Sequence, residues 1–156
     1  MGNILETAAR FFEQDGWQFE KIPNRPLIHT TYESVDHHCW ECYAQERQDF
    51  QQLIFYSIFP LKAPPVTRYR LVEFLTRANF GMFIGNFEMD MSDGEIRYKT
   101  SMDFEDQQVT TGLIHNLVYN NVSAMERYYS GIQKMIQEDL PPKDVISEIE
   151  KDTPPV

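Results

Sequence analysis

Cysteine is scarce: the 156 residues hold two, Cys39 and Cys42, three positions apart. That excludes the disulfide framework of a small secreted domain. No apolar run approaches the roughly 20 residues of a membrane-spanning helix, so no membrane association is expected. The opening "MGNILETAARFF" lacks a basic stretch followed by an apolar one, and no secretory signal is read there. It starts Met-Gly, but Glu6 stands where an N-acylation pattern wants Ser or Thr. Basic charge is also short. Fourteen Lys and Arg face 24 Asp and Glu, a net charge of −10. The basic residues are scattered, so the chain repels phosphate backbones and nucleic acid is not an expected partner. Glycines are few, and Gly81 and Gly85 in "FGMFIGNF" precede no Lys-Ser/Thr pair, which excludes a phosphate loop. Gly85 reads instead as a bulge or close-approach position. The expectation is a cytoplasmic protein.

Apolar residues make up 42% of the chain and aromatics 13%, enough for one packed domain. Asn3 caps a first helix with Ile4, Leu5, Ala8, Ala9, Phe11 and Phe12 at helical spacing, closed by Gly16. Trp17–Phe19 reads as a short extended piece. Three strands follow at about Leu27–Ser34, His38–Glu46 and Gln51–Phe59, joined by short polar links as an antiparallel meander. A second helix starts at Pro65 or Val66 and ends near Asn79–Gly81. Met82–Met91 and Glu95–Phe104 flank Ser92-Asp93-Gly94 as a hairpin. A third helix runs from about Gln108 to Glu138, with an apolar stripe from Leu113 to Ile136. It contains Asn121-Val122-Ser123, a glycosylation pattern discounted for that reason. Residues 1–140 are read as one domain and 141–156 as an acidic, proline-containing tail. Asp144–Lys151 forms a short helix in that tail, and its last residues are expected to be mobile. The order α-β-β-β-α-β-β-α predicts an α+β fold with a five-stranded antiparallel sheet and helices packed on it.

"HHCWEC", His37–Cys42, is the one stretch that invites a metal or redox reading. On a strand, Trp40 and Cys42 point one way and Cys39 and Glu41 the other. Three residues separate the Cα atoms of the two cysteines by roughly 10 Å, beyond the ~7 Å that a disulfide spans. The strand reading therefore excludes a chelate or a bridge, and Trp40 and Cys42 are expected to pack inward. His29 and His115 have no Ser or Asp partner in sequence, and the acids Glu88, Asp90, Asp93 and Glu95 do not fit a calcium-loop register. No catalytic residue, metal ligand or cofactor is expected. "QQLIFYSIF" is apolar on both faces, and so is Met82–Ile84. A strand of that kind is covered on both sides. Leu53, Phe55, Phe59, Met82 and Ile84 are accordingly the candidate interface, toward a second copy or a partner protein.

Trp40 to Glu105 resembles the YbjN-domain family. The matching points are Trp40-x-Cys42, the strand ending Ser57–Pro60, Pro65 before the helix, Arg77-Ala78-Asn79, Gly85-x-Phe87-x-x-Asp90 and Asp93-Gly94-Glu95. The long helix with Tyr128-Tyr129 resembles the family's last helix. The resemblance implies a type III secretion chaperone-like fold, a label of sensory transduction regulator, and no catalytic residues to carry over. The expected function is a non-enzymatic protein-binding domain, chaperone- or adaptor-like, working as a homodimer. The alternative is a small-molecule or metal sensor with a pocket between the sheet and the last helix, using Tyr128, Tyr129, His115 and Asn121.

Overall fold

The computed structural model describes residues 3–153. Met1 and Gly2, and the last three residues of the tail, lie outside the described residues. Helix α1 spans Ile4–Gln14, and the Asn3 side chain accepts from the Glu6 N–H at 3.2 Å. That bond satisfies one of the free donors at the helix start. The strands are β1 Phe19–Lys21, β2 Leu27–Glu33, β3 Cys39–Arg47, β4 Gln52–Ile58, β5 Asn86–Met89 and β6 Ile96–Asp103. Helix α2 spans Arg68–Asn79, α3 Thr111–Gln137 and α4 Pro142–Glu150.

The sheet has six strands, not the expected five, in the order β1-β2-β3-β4-β6-β5. The extra strand is β1, which pairs Phe19–Lys21 with Ile28–Thr30. Strands β1 to β4 form the meander. The chain then crosses by α2 to the far edge, lays down β5, and returns through β6 into the gap beside β4. Both β4 and β5 run antiparallel to β6, so they are parallel to each other, a split β-α-β unit.

Strand β5 is far shorter than the expected Met82–Met91. The Tyr98 hydroxyl donates to the Ile84 carbonyl at 2.6 Å and lies 3.0 Å from the Met82 sulfur. Gly85 has a φ of +79°, and a Cβ there would stand 2.6 Å from the Lys99 carbonyl oxygen. The chain is thus pressed against β6 at a point where only glycine fits. Phe83, which would share the face of Phe87 in a continuous strand, is 87% exposed.

The core lies between one sheet face and the helices. Ile28, Trp40, Cys42, Ala44, Leu53, Phe55, Ile96 and Tyr98 form its floor. Helix α1 supplies Phe11 and Phe12; α3 supplies Ile114, Leu117, Val118, Met125 and Ile132. Helix α4 packs on α2 and α3, and its Val145 and Ile146 join the core. Gly131 makes this close approach possible, since a Cβ there would stand 2.6 Å from Ile149 Cδ1 and 2.8 Å from Phe74 Cζ. Arg70 on α2 holds the end of α3, donating to the carbonyls of Met135 (3.0 Å) and Glu138 (2.8 Å) and pairing with Asp139. These are the acceptors that a helix C-terminus leaves unpaired.

The β5 edge of the sheet is plugged at Phe87. The Asn79 side chain accepts from the Phe87 N–H at 2.7 Å and donates to the Phe87 carbonyl at 3.1 Å. A side-chain amide there does what a neighbouring strand would do.

Candidate functional site

Strand β3 settles "HHCWEC". Trp40 and Cys42 are buried toward the helices, while Cys39 is exposed on the other face. Trp40 Nε1 donates to Ser57 Oγ at 2.8 Å, and Cys42 Sγ lies 3.6 Å from the same oxygen. Burial pushes the Cys42 thiol up to about 12, so it is protonated and unreactive at neutral pH. His37 sits in the turn with φ of +62°. His38 pairs with Glu126 at 3.0 Å and stacks on Tyr129 with ring centroids 4.0 Å apart. Among the described residues, no group of three His, Cys, Asp or Glu side chains is arranged to hold a metal ion. No described helix is long and apolar enough to cross a membrane.

The four groups proposed for a sensing pocket do not share one. Asn121 is fully buried and bonded to the sheet, and Tyr128 is 2% exposed with its hydroxyl donating to Glu150 at 2.7 Å. Tyr129 is stacked on His38, and His115 is exposed near the C-terminal end of α1. The space between the sheet and α3 is occupied by side chains. A shallow apolar hollow does lie between α3 and α4, beside Leu140, Val145 and Ile149.

The expected interface residues divide. Leu53, Phe55 and Phe59 are at most 3% exposed and face the helices. Met82 is half-buried against the core, and Ile84 is 50% exposed. Strand β4 is apolar on both faces, as its sequence shows, but the face left uncovered carries Ile54, Tyr56 and Ile58. The period of two could have marked them, since they alternate with Leu53, Phe55 and Ser57.

On this uncovered face the register sets out rows. One runs Glu20, His29, Tyr43, Tyr56, Lys99, Asn86 across all six strands. The next holds Thr31, Glu41, Ile58, Arg97 and Glu88. An apolar ridge along β4 is thus flanked by acids on the β1–β3 side and bases on β6. Arg97 lies 4.5 Å over the Tyr56 ring and donates to Glu88 at 2.7 Å; Lys99 pairs with the same carboxylate. Burial alone would raise the Glu88 pKa, but Lys99 and Arg97 outweigh it and hold it below the usual range.

His29 bridges the acidic side, pairing with Glu41 and, at 3.1 Å, with Glu20. The Glu41 carboxylate, with help from Glu20, raises the His29 pKa against the opposing effect of burial. A raised folded-state pKa stabilises the protein below the unfolded value of about 6.5, and that stability is lost as pH rises through the folded value. The stability gap between the native chain and His29→Gln should therefore be widest in mild acid. It should shrink by about 1 kcal/mol or less once the imidazole is neutral, as measured by urea unfolding across pH. A gap that widens with rising pH would refute the assignment.

A second exposed surface lies along α2. Val66, Tyr69, Phe80 and Phe83 are 82–91% exposed, and Val72, Ile84 and Met91 are also exposed.

A single antiparallel sheet with helices on one face, a split crossover and an open second face is a type III secretion chaperone-like fold. Solved structures agree. "YbjN, a putative transcription regulator from E. coli" matches with a TM-score of 0.60 at 13% identity, over 94% of this chain and 92% of that one. The HopA1–SchA chaperone–effector complex matches with a TM-score of 0.54 at 9% identity, over 78% and 88%. The ExoT–SpcS complex from Pseudomonas aeruginosa matches with a TM-score of 0.50 at 12% identity, over 81% and 97%. At these identities the likeness is one of fold. No curated protein matches by sequence. Residues 5–134 match the YbjN family, described as "Putative bacterial sensory transduction regulator", and the chain belongs to that family. That description is regulatory, not enzymatic. Helix α4 lies beyond the matched residues.

Proposed function

We propose that this chain is a non-enzymatic, cytoplasmic protein-binding domain, chaperone- or adaptor-like, that takes a partner segment on its uncovered sheet face. The observation that carries this reading is β4, apolar on both sides with helices over only one. Ile54, Tyr56 and Ile58 offer a ridge for the apolar residues of a partner, and the flanking acids and bases fix its orientation. Two of the solved structures with this fold are the HopA1–SchA chaperone–effector complex and the ExoT–SpcS complex, which supports a protein as the occupant. The net charge of −10 favours a partner with basic residues. A homodimer is part of the reading, as the usual way for such a domain to cover a remaining apolar surface.

The test uses the full chain as bait against lysate of its source organism. A protein captured by the native chain should be lost by at least about tenfold with the pair Ile54→Asp and Tyr56→Asp, because charge on a contact ridge cannot be desolvated there. Both side chains are partly exposed on the face that the helices leave open, so the variant keeps its helix-covered core, and capture is read only on variant protein whose circular dichroism and melt show it folded. Equal capture by a folded variant would overturn the reading.

A further inference from the structure

Helix α4 covers a groove that it does not build. The groove lies across α2 and α3, on residues within the family-matched stretch, whereas α4 begins at Pro142. Its floor is Phe74 on α2 with Tyr128 and Gly131 on α3. The Phe74 and Tyr128 rings meet edge to face with centroids 6.4 Å apart. Gly131 keeps the floor open, because a Cβ there would run into both Phe74 and Ile149. Bases stand around the rim. Arg70 pairs with Asp139 just before α4, Arg127 donates to Thr153 just after it, and Lys134 stands beside Asp144 and Glu148.

We propose that this groove is a second docking site, one that takes an acidic amphipathic helix from a partner protein, and that α4 is its built-in, displaceable occupant. The inference goes beyond the sheet-face reading, since the groove lies on the helix side of the molecule and neither site needs the other. The occupant's chemistry is written in α4 itself. Pro142, Val145, Ile146 and Ile149 recur at i, i+3, i+4 and i+7, the anchor spacing of a helix laid in a groove. Glu150 follows them and accepts from the Tyr128 hydroxyl at 2.7 Å. Residues 140–153 hold four acids and two bases, which complements the rim of Arg70, Arg127 and Lys134. Three features make α4 displaceable. Val145 and Ile146 are each 8% exposed, where Ile114, Leu117, Met125 and Ile132 on α3 are at most 2%. A hollow of about 250 Å³ remains between α3 and α4, beside Leu140, Val145 and Ile149, where a well-packed element would leave none. Nine residues are also too few to stay helical alone, so α4 unfolds once lifted and does not readily find its seat again. A partner helix that also fills the hollow makes packing contacts that α4 does not, and these offset the advantage of α4's tether.

Two measurements on the full chain test this. Native-state hydrogen exchange read by mass spectrometry should show the α4 amides opening on their own, at least about 100-fold faster than those of residues 118–125 in α3. Binding is read by fluorescence anisotropy with a fluorescein-labelled peptide of residues 140–153, which carries the α4 pattern. The native chain should bind it weakly, because the tethered copy competes. Binding should tighten at least about tenfold with the pair Val145→Asp and Ile149→Asp, which lifts α4 from the groove. The same peptide carrying Glu148→Lys and Glu150→Lys should bind that variant at least about tenfold more weakly, since it brings positive charge to Arg127 and Lys134. An α4 that exchanges only together with α3 is a fixed part of the core and would overturn the proposal, whether or not the variant folds. So would equal binding of the peptide by the native chain and the folded variant, or equal binding of the two peptides. The Ile54→Asp and Tyr56→Asp pair should leave peptide binding unchanged. A loss there would put the peptide on the sheet face and overturn the groove as its site.

Discussion

Asn121→Leu should lower the unfolding free energy by about 2 kcal/mol, the net of several lost hydrogen bonds and one relieved penalty. Asn121 is fully buried on the inner face of α3. Its Nδ2 donates to the carbonyls of Phe55 (2.9 Å) and Tyr98 (3.1 Å) and to Thr100 Oγ1 (3.2 Å), so one side chain ties the helix to two neighbouring strands. Thr100 Oγ1 donates in turn to the Leu117 carbonyl at 2.9 Å, which closes the link back to α3. The Phe55 and Tyr98 carbonyls also accept from the β4–β6 ladder, so leucine would cost the Asn121 bonds themselves, about 1 kcal/mol each, and would not leave the carbonyls unpaired. Asn121 Oδ1 has no partner, so leucine also removes a buried unpaired acceptor, and that limits the loss. Urea unfolding should show a lower midpoint with an unchanged slope. A loss below about 1 kcal/mol would mean that the network is packing with incidental hydrogen bonds.

The second large effect is expected at Gly94. Its φ is +83°, and a Cβ there would stand 2.2 Å from the Ala63 carbonyl oxygen and 2.9 Å from its nitrogen. Ala63 N donates to the Gly94 carbonyl at 2.8 Å, and Arg68 Nε donates to the Ala63 carbonyl at 3.1 Å. The β5–β6 turn is therefore latched to the start of the crossover into α2. Gly94→Ala combines about 1 kcal/mol of left-handed backbone strain with about 2–3 kcal/mol for displacing a backbone that cannot yield like a side chain. For a chain of this length a thermal melt should fall by about 10 °C. Gly81→Ala is the control: its φ is +85°, but nothing lies within 4 Å of its Cβ position, so only the backbone strain applies. Equal effects at the two glycines would show that strain, not the latch, dominates.

Much of this fold can be read from residue alternation alone. Trp40 and Cys42 face inward because a strand has a period of two, and that same period rules out a shared site for Cys39 and Cys42. The Asp-Gly hairpin signal locates the β5–β6 turn. It does not say which of the two strands lies beside β4, because both alternate and both are apolar on one side; that order is decided by the α2 crossover. Strand β1 shows in sequence only as a short extended piece placed two residues early, at Trp17–Phe19, because Phe19–Lys21 is three residues between a helix end and two prolines. Met82–Gly85 reads as strand by composition, yet the Tyr98 hydroxyl and the close approach at Gly85 bend it away. The interface prediction chose the more apolar side of β4, and greater apolarity is what a helix-covered face requires. The uncovered face shows itself by mixing Ile with Tyr. The outer stripe of α2 is visible at helical spacing, but a stripe facing solvent looks the same in sequence as one facing a core.

The Asn79 plug bears on how far assembly can go. A sheet edge with free backbone groups accepts any strand of any sequence, and each added strand exposes a fresh edge, so growth by that route has no natural end. Here the adjoining surface carries exposed Phe80 and Phe83, a setting in which such growth would start easily. With Phe87 satisfied by Asn79, the backbone that β5 offers at this edge is cut to the single outward-facing residue Met89, and stickiness there resides mainly in side chains, which demand a matching shape. Attachment stays reversible and countable, so the molecule can keep an oily flank without becoming the seed of a fibre.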